Sequence, residues 1–364
     1  MSLLSSAAVA LLAFQTSEAP EAPPPSPTAR IAQRQRFLLY DTVFHEQVNK
    51  QRRALMFYLD LAMRLKRTLV LPRTRLLRRA KFRSGSQFEP NADYASWGEL
   101  FNASALARAH PVLELEQFVE LHGGVALHVR VTHKGCTESE GETSVPFNGL
   151  DLPAARSICA TGMQYDARSL STAEMSELDS IAFSDVVDQL SPQGVLPLRP
   201  YVRYTDAVYD AAAAFARDAF NGQPFLAIHW RRTDFLQVRT QHEHALQSAP
   251  MLIAHARAVM RAHAIRHVYL ATDSEDKAEL AAVFAALQPA RYVPHSPAVS
   301  LHAKTELANV EIAICAMGAR FLGTRTSSFT LAITEERQAV FGHPPETGVE
   351  MGAPPEEDHG KDEL

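Results

Sequence analysis

Residues 224–239 read PFLAIHWRRTDFLQVR, and this stretch decides how the chain is understood. Phe225-Leu226-Ala227-Ile228 is a short unbroken apolar run, the pattern of a strand buried on both faces of a parallel sheet. It gives way abruptly to His229, Arg231, Arg232, Thr233 and Asp234. Open α/β sheets bind ligands at the carboxyl ends of their strands, so polar groups massed there mark a site. Two adjacent guanidiniums, permanently charged and rich in donors, suit a phosphate or diphosphate.

Two later strands end the same way. The run 267–271 (HVYLA) leads into Thr272-Asp273, and Arg320-Phe321-Leu322 leads through Gly323 into Thr326-Ser327-Ser328-Phe329. The second of these turns opens a helix containing Glu335, Glu336 and Arg337. Hydroxyls and free N–H groups at a helix N-terminus bind phosphate, although Ser327 or Ser328 serves equally well as a simple cap. Asp273 either caps the following helix or holds a sugar hydroxyl or guanine edge, and Asp234 either meets the ligand or orients Arg231 through an ion pair. For His229 an internal hydrogen-bonding role is slightly favoured over direct catalysis. Together the three strand ends point to a nucleoside diphosphate.

Outward from this centre the chain alternates strands and helices. Helices are predicted over 207–220, 250–263, 274–287 and 304–317, an alternation that argues for an α/β fold with a parallel sheet. Near the start, 37–40 reads as a strand, 41–49 as a polar loop, 50–67 as a helix and 69–71 as the next strand. Leu55, Tyr58, Leu59, Ala62 and Leu65 share one face of that helix. In such a β-α-β unit the polar loop sits at the strand's carboxyl end and faces any cleft. Its Glu46 is placed to take a proton from an incoming hydroxyl, or is a solvated carboxylate; its Asn49 lines the site or caps the helix. Residues 76–91 form a basic insertion, 123–190 carry one legible strand at 125–131, and a boundary falls near Pro192–Pro200.

The totals narrow the function. At 364 residues the chain holds roughly two domains. A net charge of −5 argues against nucleic acid as the main partner. Residues 1–19 resemble a signal peptide, and 20–31 are a Pro-rich lead-in. A domain over 32–200, a second over 201–345 and a flexible tail over 346–364 follow. The tail ends Lys361-Asp362-Glu363-Leu364, the signal read by the KDEL receptor, which implies the endoplasmic reticulum lumen, and no apolar stretch after the first residues is long enough for a membrane span. In that compartment Cys136 and Cys159, set in a loop-like region, can pair, Cys315 reads as a buried thiol, and Asn102 is the one glycosylation sequon. Phosphate-binding glycine loops and nucleophile elbows are missing from the sequence, as is an Asp-x-Asp pair, so no metal is expected. His242-Glu243-His244 reads as surface rather than as a metal site.

These residues resemble a family. HWRRTDF (His229–Phe235) is similar to the His-Leu-Arg-Arg-Lys-Asp-Phe motif of the GDP-fucose protein O-fucosyltransferases, nearest the type that modifies thrombospondin repeats. RFLLYD…HEQVN (Arg36–Asn49) resembles that family's first strand and Pro-Glu-Gly-Phe-Asn loop. VYLATD (Val268–Asp273) and ARFLGTRTSSFTLAITEER (Ala319–Arg337) resemble its later strands and its Glu-Glu-Arg helix. The resemblance covers 36–71 and 224–342 and is faint between.

It implies a GT-B fold, two Rossmann-like domains facing a cleft, and metal-free inverting transfer of fucose from GDP-fucose to Ser or Thr of a folded secretory domain. By motif position Glu46 is the base and Arg231 assists departure of the diphosphate. His45, Gln47, Val48, Asn49, His229, Trp230, Asp234, Asp273, Ser327, Ser328 and Phe329 line the donor site. The resemblance also implies the Cys136–Cys159 bridge and, more weakly, a role for Arg337. Gln47-Val48 stands where the family has Gly-Phe, Trp230 replaces Leu and Thr233 replaces Lys. The change at Gln47 removes glycine's freedom from the donor loop. Fucosylation of EGF-like repeats and a lumenal sugar-binding protein without turnover are the competing expectations.

Overall fold

Phe37–Thr42 and Phe225–Trp230 are strands buried at every residue, and each lies in the interior of its own parallel sheet. The computed structural model describes residues 35–42, 47–76, 93–132, 138–161, 176–186, 194, 196–233, 235–238, 247–294 and 300–351. Residues 36–364 form one compact unit.

The first half begins with β1 (Phe37–Thr42), α1 (Val48–Leu65) and β2 (Thr68–Leu71). An antiparallel ribbon of β3 (Thr74–Leu76) and β4 (Asp93–Ala95) follows, then α2 (Trp97–Leu100), α3 (Ala103–Ala109), β5 (Val112–Glu114) and α4 (Leu115–His122). Next come β6 (Leu127–Thr132), a hairpin of β7 (Thr143–Phe147) and β8 (Leu150–Ala154), β9 (Ser157–Thr161) and β10 (Ser180–Val186). The second half runs through α5 (Asp206–Phe220), β11 (Phe225–Trp230), α6 (Phe235–Val238) and α7 (Ala249–Ala262). It continues with β12 (His267–Thr272), α8 (Lys277–Leu287), α9 (Leu301–Met317), β13 (Arg320–Thr324), α10 (Ser328–Ala339) and β14 (Gly348–Met351).

The first sheet has the order β5-β2-β1-β10-β6-β9 and the second β12-β11-β13-β14; every pairing in both is parallel. Parallel sheets need cover on both faces, which is why their central strands read as unbroken apolar runs. Strand order reverses between β1 and β10 and again between β11 and β13. Such switch points open a crevice at the carboxyl ends of the strands.

Side chains of β11 alternate as a strand requires. Leu226, Ile228 and Trp230 enter one core with Leu252, Val268 and Val283. Phe225 and Ala227 enter another, which runs on into the first half through Tyr40, Leu55 and Tyr58. The halves are also joined by buried charge. Glu335 of α10 pairs with Arg52 (3.1 Å) and Arg53 of α1, and Glu336 pairs with Arg199 and accepts from the hydroxyl of Tyr209.

Several expected boundaries shift. The first strand continues through Thr42, and α1 starts at Val48, because Gln47 takes the N-cap position expected of Asn49. The β11 strand extends through His229 and Trp230, and α8 starts at Lys277 because Asp276, not Asp273, caps it. The region 123–190 supplies three strands of the first sheet, and Cys159 lies on its edge strand β9 rather than in a loop. Cys159 is disulfide-bonded; Cys136, its expected partner, lies outside the described residues, and Cys315 is buried and free. Residues 348–351, expected in a flexible tail, pair with β13 as an edge strand. Among the described residues no helix is long and apolar enough to cross a membrane.

Candidate functional site

A cleft of about 710 Å³ opens where the two halves meet. From the first half it is lined by Gln47, Val48 and Asn49 at the start of α1 and by Asp93 on the ribbon. From the second it is lined by His229 and Arg231 on β11, Ala271, Thr272 and Asp273 on β12, and Phe329 on α10. One face of α9, including Lys304, Thr305, Asn309 and Glu311, completes the wall.

At the carboxyl ends of β11, β12 and β13, threonine hydroxyls tie the strands together. Thr324 Oγ1 donates to the His229 carbonyl (3.0 Å) and accepts the Arg231 N–H (2.9 Å). Thr272 Oγ1 donates to the Trp230 carbonyl (2.6 Å), and Thr233 Oγ1 to the Asp273 carbonyl (2.6 Å). Asp273 then fixes the turn twice, taking the Arg232 N–H at 2.7 Å and pairing with Arg231 Nη1 at 3.3 Å.

The two adjacent arginines therefore do different things. Arg231 faces the cleft, its guanidinium over the Phe235 ring. Arg232 turns back, donating from Nε to Glu279 (3.0 Å), pairing with it through Nη2, and lying over the Trp230 ring. A diphosphate in the cleft would meet one guanidinium of the pair.

His229 is buried, its Nδ1 2.8 Å from the Thr330 hydroxyl and its ring stacked on Phe329 at 4.6 Å. Burial pulls it down to about 4, against the opposing pull of Asp273, so the imidazole is neutral at physiological pH. Glu311 is pushed the other way, up to about 7, by burial, which outweighs the neighbouring Arg291. At the β13–α10 turn Thr326 holds φ at +63°, a left-handed conformation that costs a β-branched residue energy and that clusters at functional sites. Ser327 caps α10, accepting the Phe329 N–H, and Ser328 is the first helical residue. Gly323 lets α10 approach: a Cβ there would sit 2.4 Å from Thr330 Cγ2.

The profile of the family described as GDP-fucose protein O-fucosyltransferase matches residues 44–340. The chain belongs to this family. Relatives named GDP-fucose protein O-fucosyltransferase 2 include one from Homo sapiens, 31% identical over 126 residues, which are 35% of this chain but 28% of the human protein. One from Caenorhabditis elegans is 23% identical over 375 residues, covering 86% of this chain and 85% of the relative. The crystal structure of POFUT1 in complex with GDP-fucose superposes with a TM-score of 0.64 at 16% identity, covering 88% of this chain and 99% of that one. At that identity the likeness establishes the fold, a GT-B pair of Rossmann-like sheets about a cleft.

Within this O-fucosyltransferase fold, Gln47, Val48, Asn49, His229, Arg231, Asp273 and Phe329 all line the cleft. Trp230 does not line it. It is the next residue along a strand that carries His229 on the opposite face, and its indole N–H donates to the Gln247 carbonyl inside the core. Ser327 and Ser328, the cap and first residue of α10, are outside the lining. Arg337 is buried beneath, donating to the carbonyls of Cys315, Ala316 and Gly318. His45, Glu46, Asp234 and His242-Glu243-His244 lie outside the described residues. Gln47 has φ −81° and ψ 165°, an ordinary extended conformation, so the loss of glycine there strains nothing. Asn102 caps α3 through its Oδ1, and its Nδ2 donates to Asp206.

Sequence reasoning missed the α9 face. Lys304, Thr305, Ala308, Glu311 and Ile312 recur at three- and four-residue steps, the spacing of one helical side. Two charges on such a stripe were the available signal. Among the described residues no group of three or more His, Cys, Asp or Glu side chains could hold a metal ion.

Proposed function

We propose that this protein transfers fucose from GDP-fucose to a Ser or Thr hydroxyl of a folded, disulfide-bonded secretory domain, of the thrombospondin-repeat kind, in the lumen of the endoplasmic reticulum. The observation that carries the proposal is that one cleft is lined both by Arg231, at the tip of β11, and by the first turn of α1, which follows Glu46 in sequence. The membership of the chain in the O-fucosyltransferase family supports the donor.

In this reading the acceptor oxygen attacks the anomeric carbon of fucose from the face opposite the diphosphate. The bond from that carbon to the phosphate oxygen breaks, its electron pair leaves on GDP, and the acceptor proton passes to Glu46. One displacement inverts the anomeric centre. Arg231, held by Asp273, offsets the charge growing on the diphosphate, the part a metal ion plays elsewhere. Neutral His229, stacked on Phe329, completes this wall of the donor site without adding a proton donor that titrates near neutrality. The KDEL terminus serves retrieval by its receptor.

The test is transfer to a thrombospondin-type repeat, with and without a chelator, for the wild type and for Glu46→Gln and Arg231→Ala. The proposal expects one added deoxyhexose with the wild type regardless of chelator, and loss of transfer in both folded variants. Full activity in either variant removes that residue from its role.

A further inference from the structure

The network around Arg75 joins three parts of the cleft's first-half wall. The Arg75 backbone N–H donates to Gln51 Oε1, and Gln51 Nε2 donates to the Arg75 carbonyl, each at 2.9 Å. Its guanidinium reaches the Thr42 carbonyl from Nη1 (3.2 Å), the Asp41 carboxylate from Nη2 (3.1 and 3.4 Å) and the Tyr94 hydroxyl from Nε (3.3 Å). Asp41 also accepts the Asn148 N–H at 2.8 Å, and Asn148 Nδ2 donates to the Tyr40 carbonyl at 3.2 Å. Asp41, Thr42, Gln51, Arg75 and Asn148 are all buried. Asn148 and Gly149 form the β7–β8 turn with φ of 51° and 76°. Gly149 lies so close to the Tyr94 ring that a Cβ would come within 2.6 Å.

Two of the groups held adjoin residues of the cleft lining, and the third ends β1. Gln51 lies one helical turn beyond Gln47, Tyr94 adjoins Asp93, and Thr42 ends β1. A buried ion pair with this many satisfied bonds seldom stabilises a fold more than apolar residues of the same volume would. What it supplies instead is a fixed geometry among three elements.

We infer that Arg75 is a positioning residue, registering the first turns of α1 and the β3–β4 ribbon against the end of β1 so that this wall of the cleft meets the donor in one place. The inference rests on the transferase reading above and adds a residue to it. Arg75 touches no reacting atom in that reading.

Two variants test it. Arg75→Lys keeps a charge beside Asp41 but cannot span Thr42, Asp41 and Tyr94 together. Gln51→Met keeps the shape and removes the paired bonds. For each, kcat and KM for transfer from GDP-fucose to a folded thrombospondin-type repeat are measured, with the GDP Kd from calorimetry and hydrogen exchange over 47–52 and 93–95. A misplacement of about 1 Å costs on the order of 100-fold in rate, so kcat should fall roughly 10- to 100-fold in both. The GDP Kd should stay within about two-fold, because Arg231, His229 and Asp273 are untouched, and exchange should quicken in both segments. The inference is overturned by a folded variant that keeps wild-type kcat, or by GDP affinity falling in step with kcat. Should the wild type transfer nothing, the transferase reading fails on its own, and exchange decides this one: unchanged protection over 47–52 overturns it.

Discussion

Gly323→Ala should disable the donor side of the cleft through a single methyl group. The backbone at Gly323 has no positive φ, so alanine meets no conformational penalty and only its Cβ matters. That atom would lie 2.4 Å from Thr330 Cγ2 and 2.8 Å from the Phe321 ring. Carbon atoms pack at about 3.5–4.0 Å, so α10 must retreat by about 1 Å. Thr330 holds His229 Nδ1 at 2.8 Å, and the same retreat stretches that contact to about 3.8 Å, beyond hydrogen-bonding range.

Overpacking of this kind costs about 1–3 kcal/mol of stability. The donor side loses more specifically. The wall formed by Phe329 and His229 moves off the phosphate, and one lost hydrogen bond to a charged group, about 1.5–3 kcal/mol, weakens GDP roughly 10- to 100-fold. Calorimetric titration of GDP and thermal denaturation read the two effects. Adding Thr330→Ser removes the offending methyl, keeps the hydroxyl, and should restore much of the GDP affinity. The reasoning is refuted if Gly323→Ala binds GDP as the wild type does, or if Thr330→Ser restores nothing.

Arg231→Ala should abolish transfer with little change in melting temperature, whereas Arg232→Ala, which breaks a mostly buried pair with Glu279, should cost roughly 3 kcal/mol of stability and keep GDP binding in the protein that remains folded; parallel melting and binding curves separate the two. Glu335→Ala removes the carboxylate that pairs with the buried guanidiniums of Arg52 and Arg53 and should destabilise by about 3 kcal/mol, a large share of the roughly 5–15 kcal/mol typical of a folded protein, in denaturant melts. Glu311 has its folded pKa raised to about 7, so its carboxyl favours the native state fully only below its unfolded value and that contribution is lost as pH rises through 7. Glu311→Gln should therefore melt higher than the wild type at pH 8 and lose that advantage by pH 4; a constant difference across the range would contradict the assignment.

Most of the second half was legible because its strands are short, apolar and end in polar clusters, a contrast that survives without any tertiary information. The division of labour between Arg231 and Arg232 was not. Reading Phe225–Ile228 as the whole strand hid the alternation that turns His229 toward the cleft and Trp230 into the core. Glu279, the partner that draws Arg232 away, lies 47 residues along the chain, beyond any local pattern. The region 123–190 resisted because β6, β9 and β10 take their meaning from strands far away in sequence. The buried arginines of α1 were likewise unreadable: Arg52 and Arg53 look like a solvated face until Glu335 of α10 is brought against them. At Gln47 itself the loss of glycine brings no backbone strain, since that residue occupies a conformation open to any residue.

The central claim is that one cleft brings a diphosphate-holding arginine and a proton-accepting loop to the same sugar carbon. It is tested most directly by incubating the protein with GDP-fucose and a folded thrombospondin-type repeat, then taking the mass of the repeat and the configuration of the new linkage by NMR. The account predicts a single deoxyhexose on a Ser or Thr, with the anomeric configuration inverted relative to the donor. An unmodified repeat in the presence of demonstrably bound GDP-fucose, or a product that retains the donor's configuration, would contradict it.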